Sequence, residues 1–204
     1  MKYIVGMWNK SVILTYLGMA FAVLGIYMCF DNKINYAYCC LIIAGVCDLF
    51  DGAVARKVKR NDEEKQFGIE QDSLVDVMSF IALPLCIFIT TGGSSFYRVP
   101  VFIFFAVSGI ARLGYFNVVT ADENKAIKYY IGLPVTYTAL IFPLVYLLHL
   151  VTDQNIFSVI NMVAVLVVGI LQLLKINIIK PKGAAYIFFA LLAVALVILY
   201  LVVL

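Results

Sequence analysis

Four aspartates stand in two short motifs within otherwise apolar sequence: Asp48, Asp51, Gly52, Ala55 and Arg56 form the first, and Gly68, Asp72 and Asp76 the second. Separations of three and four residues place side chains on one face of a helix, so each motif builds one carboxylate-bearing stripe. A carboxylate at membrane depth is expensive and marks a functional position that faces protein or an aqueous cavity. Carboxylates gathered in a low dielectric repel one another unless they are protonated or bind cations. All-oxygen ligands suit Mg²⁺, Mn²⁺ or Ca²⁺ rather than zinc, and two such ions about 3.5–4 Å apart can share bridging carboxylates. Gly52 and Ala55 lie on the same stripe as Asp48 and Asp51, and their missing side chains leave room for a ligand against the backbone. Arg56 offers a planar fork suited to phosphate oxygens, and Gly68 clears space one turn before Asp72. Acids for metal, small residues for space and an arginine for phosphate together describe a diphosphate site. The competing reading, solvated aspartates at helix ends beside a polar loop, fits neither the apolar flanks nor the helix-face spacing.

The elements that must position these residues are membrane spans. The chain has 204 residues, 64% of them hydrophobic and 13% charged, with mean hydropathy +1.02, far beyond a soluble domain of this length. Apolar runs at 12–30, 34–55, 69–90, 99–118, 133–148, 157–174 and 184–204 each approach the ~20 residues needed to cross a bilayer. The expectation is an all-α polytopic bundle of about seven spans (six to eight), forming one transmembrane domain over residues 1–204. Residues 1–10, with Tyr3 and Trp8, are expected to form a short interfacial helix leading into the first span. No small-residue cleavage site follows, so this segment reads as part of the mature chain. The cysteines Cys29, Cys39, Cys40, Cys47 and Cys86 lack metal-ligand spacing and read as small buried hydrophobes.

Basic residues favour cytoplasmic loops. With the N-terminus inside, thirteen of the fifteen Lys and Arg fall on the cytoplasmic side: Lys2, Lys10, Arg56, Lys57, Lys59, Arg60, Lys65, Arg112, Lys125, Lys128, Lys175, Lys180 and Lys182. Only Lys33 and Arg98 remain outside, and seven spans then put the C-terminus outside as well. The net charge of +3 thus signals sidedness and attraction to anionic headgroups, not nucleic acid. At 1.5 Å per residue, Asp48 and Asp51 lie roughly 9–14 Å inside the cytoplasmic end of the second span. Asp72 and Asp76 lie roughly 6–12 Å inside the start of the third, if that span begins near Gly68. Both pairs reach one level, on antiparallel neighbours joined by an eleven-residue loop, 57–67.

At these residues the sequence resembles the CDP-alcohol phosphatidyltransferase family, matching every fixed position of its aspartate motif. Residues 67–80 are most similar to integral-membrane phosphatidylserine synthases, with further likeness at Ala111, Arg112 and Leu113, at Phe116, Asn117 and Val118, at Gly132, Leu133 and Pro134, and at Lys180, Pro181 and Lys182. The spacer between Arg56 and Gly68 is longer than is common in the family; the extra residues fall in 59–65, where lengthening a loop is cheap. A second departure, Ile81 to Pro84 where many relatives have Gly after Ser-Phe, bears on packing.

The resemblance implies transfer of a phosphatidyl group from CDP-diacylglycerol to an alcohol, with release of CMP. It implies Mg²⁺ or Mn²⁺, two per site, on Asp48, Asp51, Asp72 and Asp76, and Asp76 as general base toward the acceptor hydroxyl. It assigns Asp48, Gly52, Ala55, Arg56 and Gly68 to the CDP-lipid. It further implies a homodimer, and a prokaryotic plasma membrane with the site facing the cytoplasm. L-serine is the expected acceptor, with Arg112 meeting its carboxylate and with Ser79 and Asn117 as weaker contacts. Each has a bland alternative: Arg112 as a snorkelling anchor, Ser79 and Asn117 as bonds between helices. His149 belongs to an outer helix end, away from the aspartates. The runner-up is a sister transferase using glycerol 3-phosphate, inositol phosphate or another alcohol, with Lys57, Lys59, Arg60 and Lys65 as a basic cluster for its phosphate. A cation pathway is more distant, because the outer halves of these spans offer few polar groups.

Overall fold

Small residues hold the first two spans together. The computed structural model describes residues 5–92, 96–120, 129–179, 181 and 183–202. Helix α1 (Lys10–Phe30) buries Thr15, Gly18, Ala22, Gly25 and Cys29, one stripe of mostly small side chains turned to α2 (Ile34–Ala55). A methyl group on Gly25 would stand 3.0 Å from Cβ of Cys40 and 2.9 Å from the δ-carbons of Leu83. Lipid supplies no hydrophobic drive for helix pairing, so this closeness, and the dispersion it allows, is what joins them. The link between α1 and α2 turns through Asn32 at φ 55°, a left-handed conformation that asparagine tolerates.

Five helices follow: α3 (Asp62–Thr91), α4 (Phe96–Val119), α5 (Val135–Leu150), α6 (Gln154–Leu173) and α7 (Ala184–Val202). Six of the seven helices are long and apolar enough to span a membrane; α5 is apolar but shorter. The all-α bundle of seven segments is therefore as expected, with the fifth beginning two residues later than its apolar run. Helix α2 is central, packing on α1, α3, α5 and α7 and burying a run from Ala37 to Ile42. Around it, Phe88, Phe105 and Phe142 meet edge to face, the Phe88 and Phe142 centroids 4.6 Å apart. The outward faces carry exposed Ile187, Leu191, Val194 and Ile198 on α7, surface suited to lipid. Four of the cysteines are buried, and all five are free thiols.

Three expectations need correction. The segment joining the first two aspartate-bearing helices is not an eleven-residue loop: α3 starts at Asp62, six residues before Gly68. Asn61 caps it, its Oδ1 accepting from the Glu64 N–H at 2.8 Å while Glu64 Oε2 accepts from the Asn61 N–H at 2.9 Å. This reciprocal box satisfies two backbone donors and lets a polar segment stay helical. The N-terminal interfacial helix is absent over residues 5–9, which are irregular; residues 1–4 lie outside the described residues. Helix begins at Lys10 instead, where Asn9 accepts from the Ser11 N–H at 2.9 Å. Finally, two short strands occur in the bundle, β1 (Tyr129–Ile131) and β2 (Asn177–Ile179), paired antiparallel with Tyr129 opposite Ile179.

That ribbon clips two interhelical connections to the end of α6. The Gly132 N–H donates to Ile176 O at 2.9 Å and the Leu133 N–H to Leu171 O at 3.0 Å. Gly132 adopts φ 71°, and a methyl group there would lie 2.6 Å from the Gln172 carbonyl oxygen. Gly132→Ala is therefore expected to lower stability by about 1–3 kcal/mol, from strain plus a backbone clash. Thermal unfolding of the detergent-solubilised variant checks this, and an unchanged midpoint would contradict it.

The departure at Ile81 to Pro84 also has a structural consequence. Residues Met78–Ala82 form a π-helical turn, the Leu83 N–H reaching back five residues to Met78 O. Pro84 has no N–H to offer the preceding turn, and Thr138 Oγ1 on α5 donates to the Phe80 carbonyl at 3.2 Å. π-turns inside helices are rare and recur at functional sites; this one begins two residues after Asp76.

Candidate metal and diphosphate site

Helices α2 and α3 bring the four aspartates to one place. Asp48, Asp51, Asp72 and Asp76 line a single narrow cavity together with Thr15, Ser79 and Phe80. Carboxylate oxygens of Asp48, Asp72 and Asp76 lie within 4.8 Å of one another. Asp51 stands beside this trio, accepting from Thr15 Oγ1 at 3.2 Å. Asp76 is the most buried of the four, 7% exposed. Among the described residues, the two ion pairs within 4.0 Å are Lys33 with Asp31 and Lys65 with Asp62, so neither neutralises the cluster. At an effective dielectric of ~20, two unit charges 4.8 Å apart repel by ~3–4 kcal/mol. Hard-oxygen ligands at this spacing, with no lysine or arginine within ion-pair distance among the described residues, fit a divalent cation site.

Two clefts open from the cluster. One, of about 630 Å³, is lined by Ser11, Thr15, Asp51, Gly52, Ala55, Arg56, Arg60, Gly68 and Asp72. It contains every small residue singled out by spacing. Arg56 is exposed and Arg60 half-buried; a methyl group on Gly68 would lie 3.3 Å from Arg60 Nη1, and one on Gly52 3.5 Å from Arg56 Nη1. The glycines therefore leave space beside two guanidinium groups. Asn9 and Glu64 brace this side, Asn9 Nδ2 donating to Glu64 Oε1 at 3.2 Å.

The other cleft, of about 1300 Å³, takes in all four aspartates together with Arg56, Arg112, Asn117 and, from the connections and α7, Tyr130, Pro181 and Tyr186. Arg112 is buried, its guanidinium 4.8 Å from the Phe116 ring centroid and 6.0 Å from that of Tyr130. Aromatic faces hold a guanidinium flat and in place. Burial pushes the Tyr130 phenol up to about 12, so it lines the cleft as a neutral hydroxyl. Asn117 Nδ2 donates to Ser73 Oγ at 2.8 Å, an interhelical bond in the same cleft. Ser79 lies in the narrow aspartate cavity instead, fully buried. His149 stacks on Tyr146 and its Nδ1 lies 2.6 Å from the Tyr146 carbonyl oxygen, apart from both clefts. Lys125, Lys128, Lys180 and Lys182 lie outside the described residues.

Sequence spacing thus located the aspartates and the small residues. It missed Thr15 and Ser11, which wall the first cleft, and named Arg60 only within the basic cluster of the runner-up reading. Thr15 had a readable signal, as the polar member of the α1 small-residue stripe. Tyr130 had none, because its place depends on where the ribbon begins.

A sequence profile of the CDP-alcohol phosphatidyltransferase family matches residues 8–171. The chain belongs to that family. It is 38% identical over 112 residues to a CDP-diacylglycerol–serine O-phosphatidyltransferase of Saccharomyces cerevisiae, covering 52% of this chain and 40% of that protein. It is 29% identical over 167 residues to an archaetidylserine synthase of Methanothermobacter thermautotrophicus, covering 81% of this chain and 69% of that one. A Helicobacter pylori CDP-diacylglycerol–serine O-phosphatidyltransferase is 33% identical over 113 residues, 54% of this chain and 46% of its own. The chain therefore spans less than half the length of the yeast and Helicobacter relatives in these matches.

Proposed function

We propose that this chain transfers a phosphatidyl group from CDP-diacylglycerol, or an archaetidyl group from its ether analogue, to the hydroxyl of L-serine, releasing CMP. The observation that carries this reading is the convergence of four carboxylates between a cleft with small residues and two arginines and a cleft with Arg112. The family membership, and the serine named in three relatives, support the acceptor. Asp48, Asp51, Asp72 and Asp76 would hold Mg²⁺ or Mn²⁺, which when bound neutralises the diphosphate. Gly52, Ala55 and Gly68 accommodate the nucleotide, with Arg56 and Arg60 toward its phosphates. Asp76 accepts the proton of the serine hydroxyl; the serine oxygen bonds to the lipid phosphorus as the phosphoanhydride P–O bond breaks, and the electron pair leaves with CMP. Arg112 meets the serine carboxylate.

The positive-inside bias supports a site at the cytoplasmic face, where CMP and serine would exchange with water while lipid tails remain in the bilayer. A homodimer in a prokaryotic plasma membrane belongs to the same reading. Ala44 and Phe80, one turn deeper than Asp48 and Asp76, wall the acidic cavity, which argues against a cation path through the bundle. The deciding experiment is CMP release from CDP-diacylglycerol by purified protein with Mg²⁺ or Mn²⁺, offering serine, glycerol 3-phosphate, inositol and inositol phosphate in parallel. Release with serine alone is expected; release with another alcohol instead would replace the acceptor, and none with any would remove the transferase reading.

A further inference from the structure

Helix α1 carries no carboxylate of its own, yet it reaches the aspartates. Thr15 Oγ1 donates to Asp51 Oδ2 at 3.2 Å, and the buried Thr15 side chain lines both the narrow aspartate cavity and the cleft of about 630 Å³. The small-residue stripe accounts for this placement. Along the antiparallel pair, a methyl group on Gly25 would stand 3.0 Å from Cys40 Cβ, and one on Gly18 3.4 Å from Cys47 Cβ. Thr15 is the next member of the stripe after Gly18, and Asp51 lies one turn beyond Cys47 on α2. The register that packs the glycines against α2 therefore sets Thr15 opposite Asp51. The bond is also one of two available to that hydroxyl. A threonine has a single hydroxyl hydrogen, and in a helix it commonly goes to a carbonyl of the preceding turn. Thr90 donates to Cys86 O at 2.8 Å, Thr91 to Ile87 O at 2.7 Å and Ser108 to Phe104 O at 2.7 Å in this way. Thr15 sends its hydrogen across to α2 instead, where an ionised carboxylate is the stronger acceptor.

We propose that Thr15 is a positioning residue for Asp51: it holds that carboxylate turned for a divalent cation, so that the packing of α1 on α2 sets cation affinity. The inference rests on the metal reading of the aspartates above. A carboxylate already held by a hydroxyl gives up less rotamer freedom when it binds an ion, and groups that orient metal ligands typically contribute 10–100-fold in affinity. The element that carries Thr15 is itself held in place. Asn9, which precedes α1, donates from Nδ2 to Glu64 Oε1 on α3 at 3.2 Å, so α1 is tied by side chains to both aspartate-bearing helices and cannot slide past Asp51 without breaking a second bond.

Thr15→Val keeps the branched shape of the side chain and removes the hydroxyl. Titration of the lipid-free, detergent-solubilised protein with Mn²⁺, the free ion being read by electron paramagnetic resonance, is expected to give a Kd about 10–100-fold above that of wild type. Thr15→Ser and Thr15→Ala give a second comparison that does not depend on valine fitting the site, since both are smaller than threonine and differ from each other by one hydroxyl. The serine variant is expected to bind Mn²⁺ close to wild type, and the alanine variant to follow valine. A purely structural role would instead lower the metal-free unfolding temperature of the alanine variant below that of the serine variant while both bind Mn²⁺ equally. Equal Kd values for Thr15→Val and wild type, or for the serine and alanine variants, overturn the proposal while Mn²⁺ binding by the wild type still stands. Wild-type protein that binds no Mn²⁺ removes the metal reading itself, and this role of Thr15 with it.

Discussion

Asp76→Asn should reduce serine-dependent CMP release by on the order of 10³-fold, while CDP-diacylglycerol still binds and the protein still folds. A positioned general base contributes about 10²–10⁴-fold, and asparagine preserves volume and hydrogen-bonding shape while abolishing basicity. Asp76 is the most buried of the four aspartates and lies two residues before the π-helical turn at Met78–Ala82. Its backbone is therefore fixed by the local geometry of α3 and not by a loop. Burst and equilibrium binding of CDP-lipid, measured beside turnover, separate two roles. A variant that loses turnover and keeps lipid affinity supports proton transfer, whereas loss of both makes Asp76 chiefly a ligand for the cation that holds the diphosphate. Full turnover would exclude Asp76 from the chemistry.

Much of this arrangement was legible because two periodicities coincide in the chain. Helix-face spacing put Asp48 with Asp51 and Asp72 with Asp76, and span-length apolar runs put both pairs near one membrane level. Seven segments followed from the same runs, since bilayer thickness sets a length that composition makes visible. The start of α3 was misjudged because Asp62 to Gln66 is polar and hydropathy ends before the helix does. The Asn61 and Glu64 box was the signal that extends it. Helices of this kind project beyond the apolar slab, and here the projection brings Arg60 over Gly68. The ribbon was not legible: three residues per strand carry no alternation to read, and its existence depends on α6 and the fourth connection meeting. Yet the ribbon supplies Tyr130 to the aspartate cleft. One wall of the large cleft thus depends on the part of the fold that spacing says least about, while the aspartate cluster depends on the part it says most about.

Chelation should produce the other large effect. Protein treated with EDTA and exchanged into metal-free buffer is expected to lose serine-dependent CMP release entirely, and to recover it with Mg²⁺ or Mn²⁺ but not with Na⁺ at equal ionic strength. The physical reason lies in the oxygens of Asp48, Asp72 and Asp76, which sit within 4.8 Å of one another while the charged diphosphate of the donor must approach the same point. Without a cation, each ionised pair at that distance repels by ~3–4 kcal/mol at an effective dielectric of ~20, and the anionic diphosphate is repelled by the same carboxylates. A divalent ion reverses both effects, favouring the ionised carboxylates and attracting the phosphates. The same cause predicts a result independent of turnover: Mn²⁺ or Mg²⁺ should raise the unfolding temperature of the wild type in the absence of any lipid, because an ion that binds the folded cluster and not the unfolded chain stabilises by mass action. Asp48→Asn should weaken that stabilisation and Asp31→Asn, whose carboxylate pairs with Lys33 in the connection between α1 and α2, should not. Equal stabilisation of all three proteins would place the ion elsewhere and remove the metal from this site.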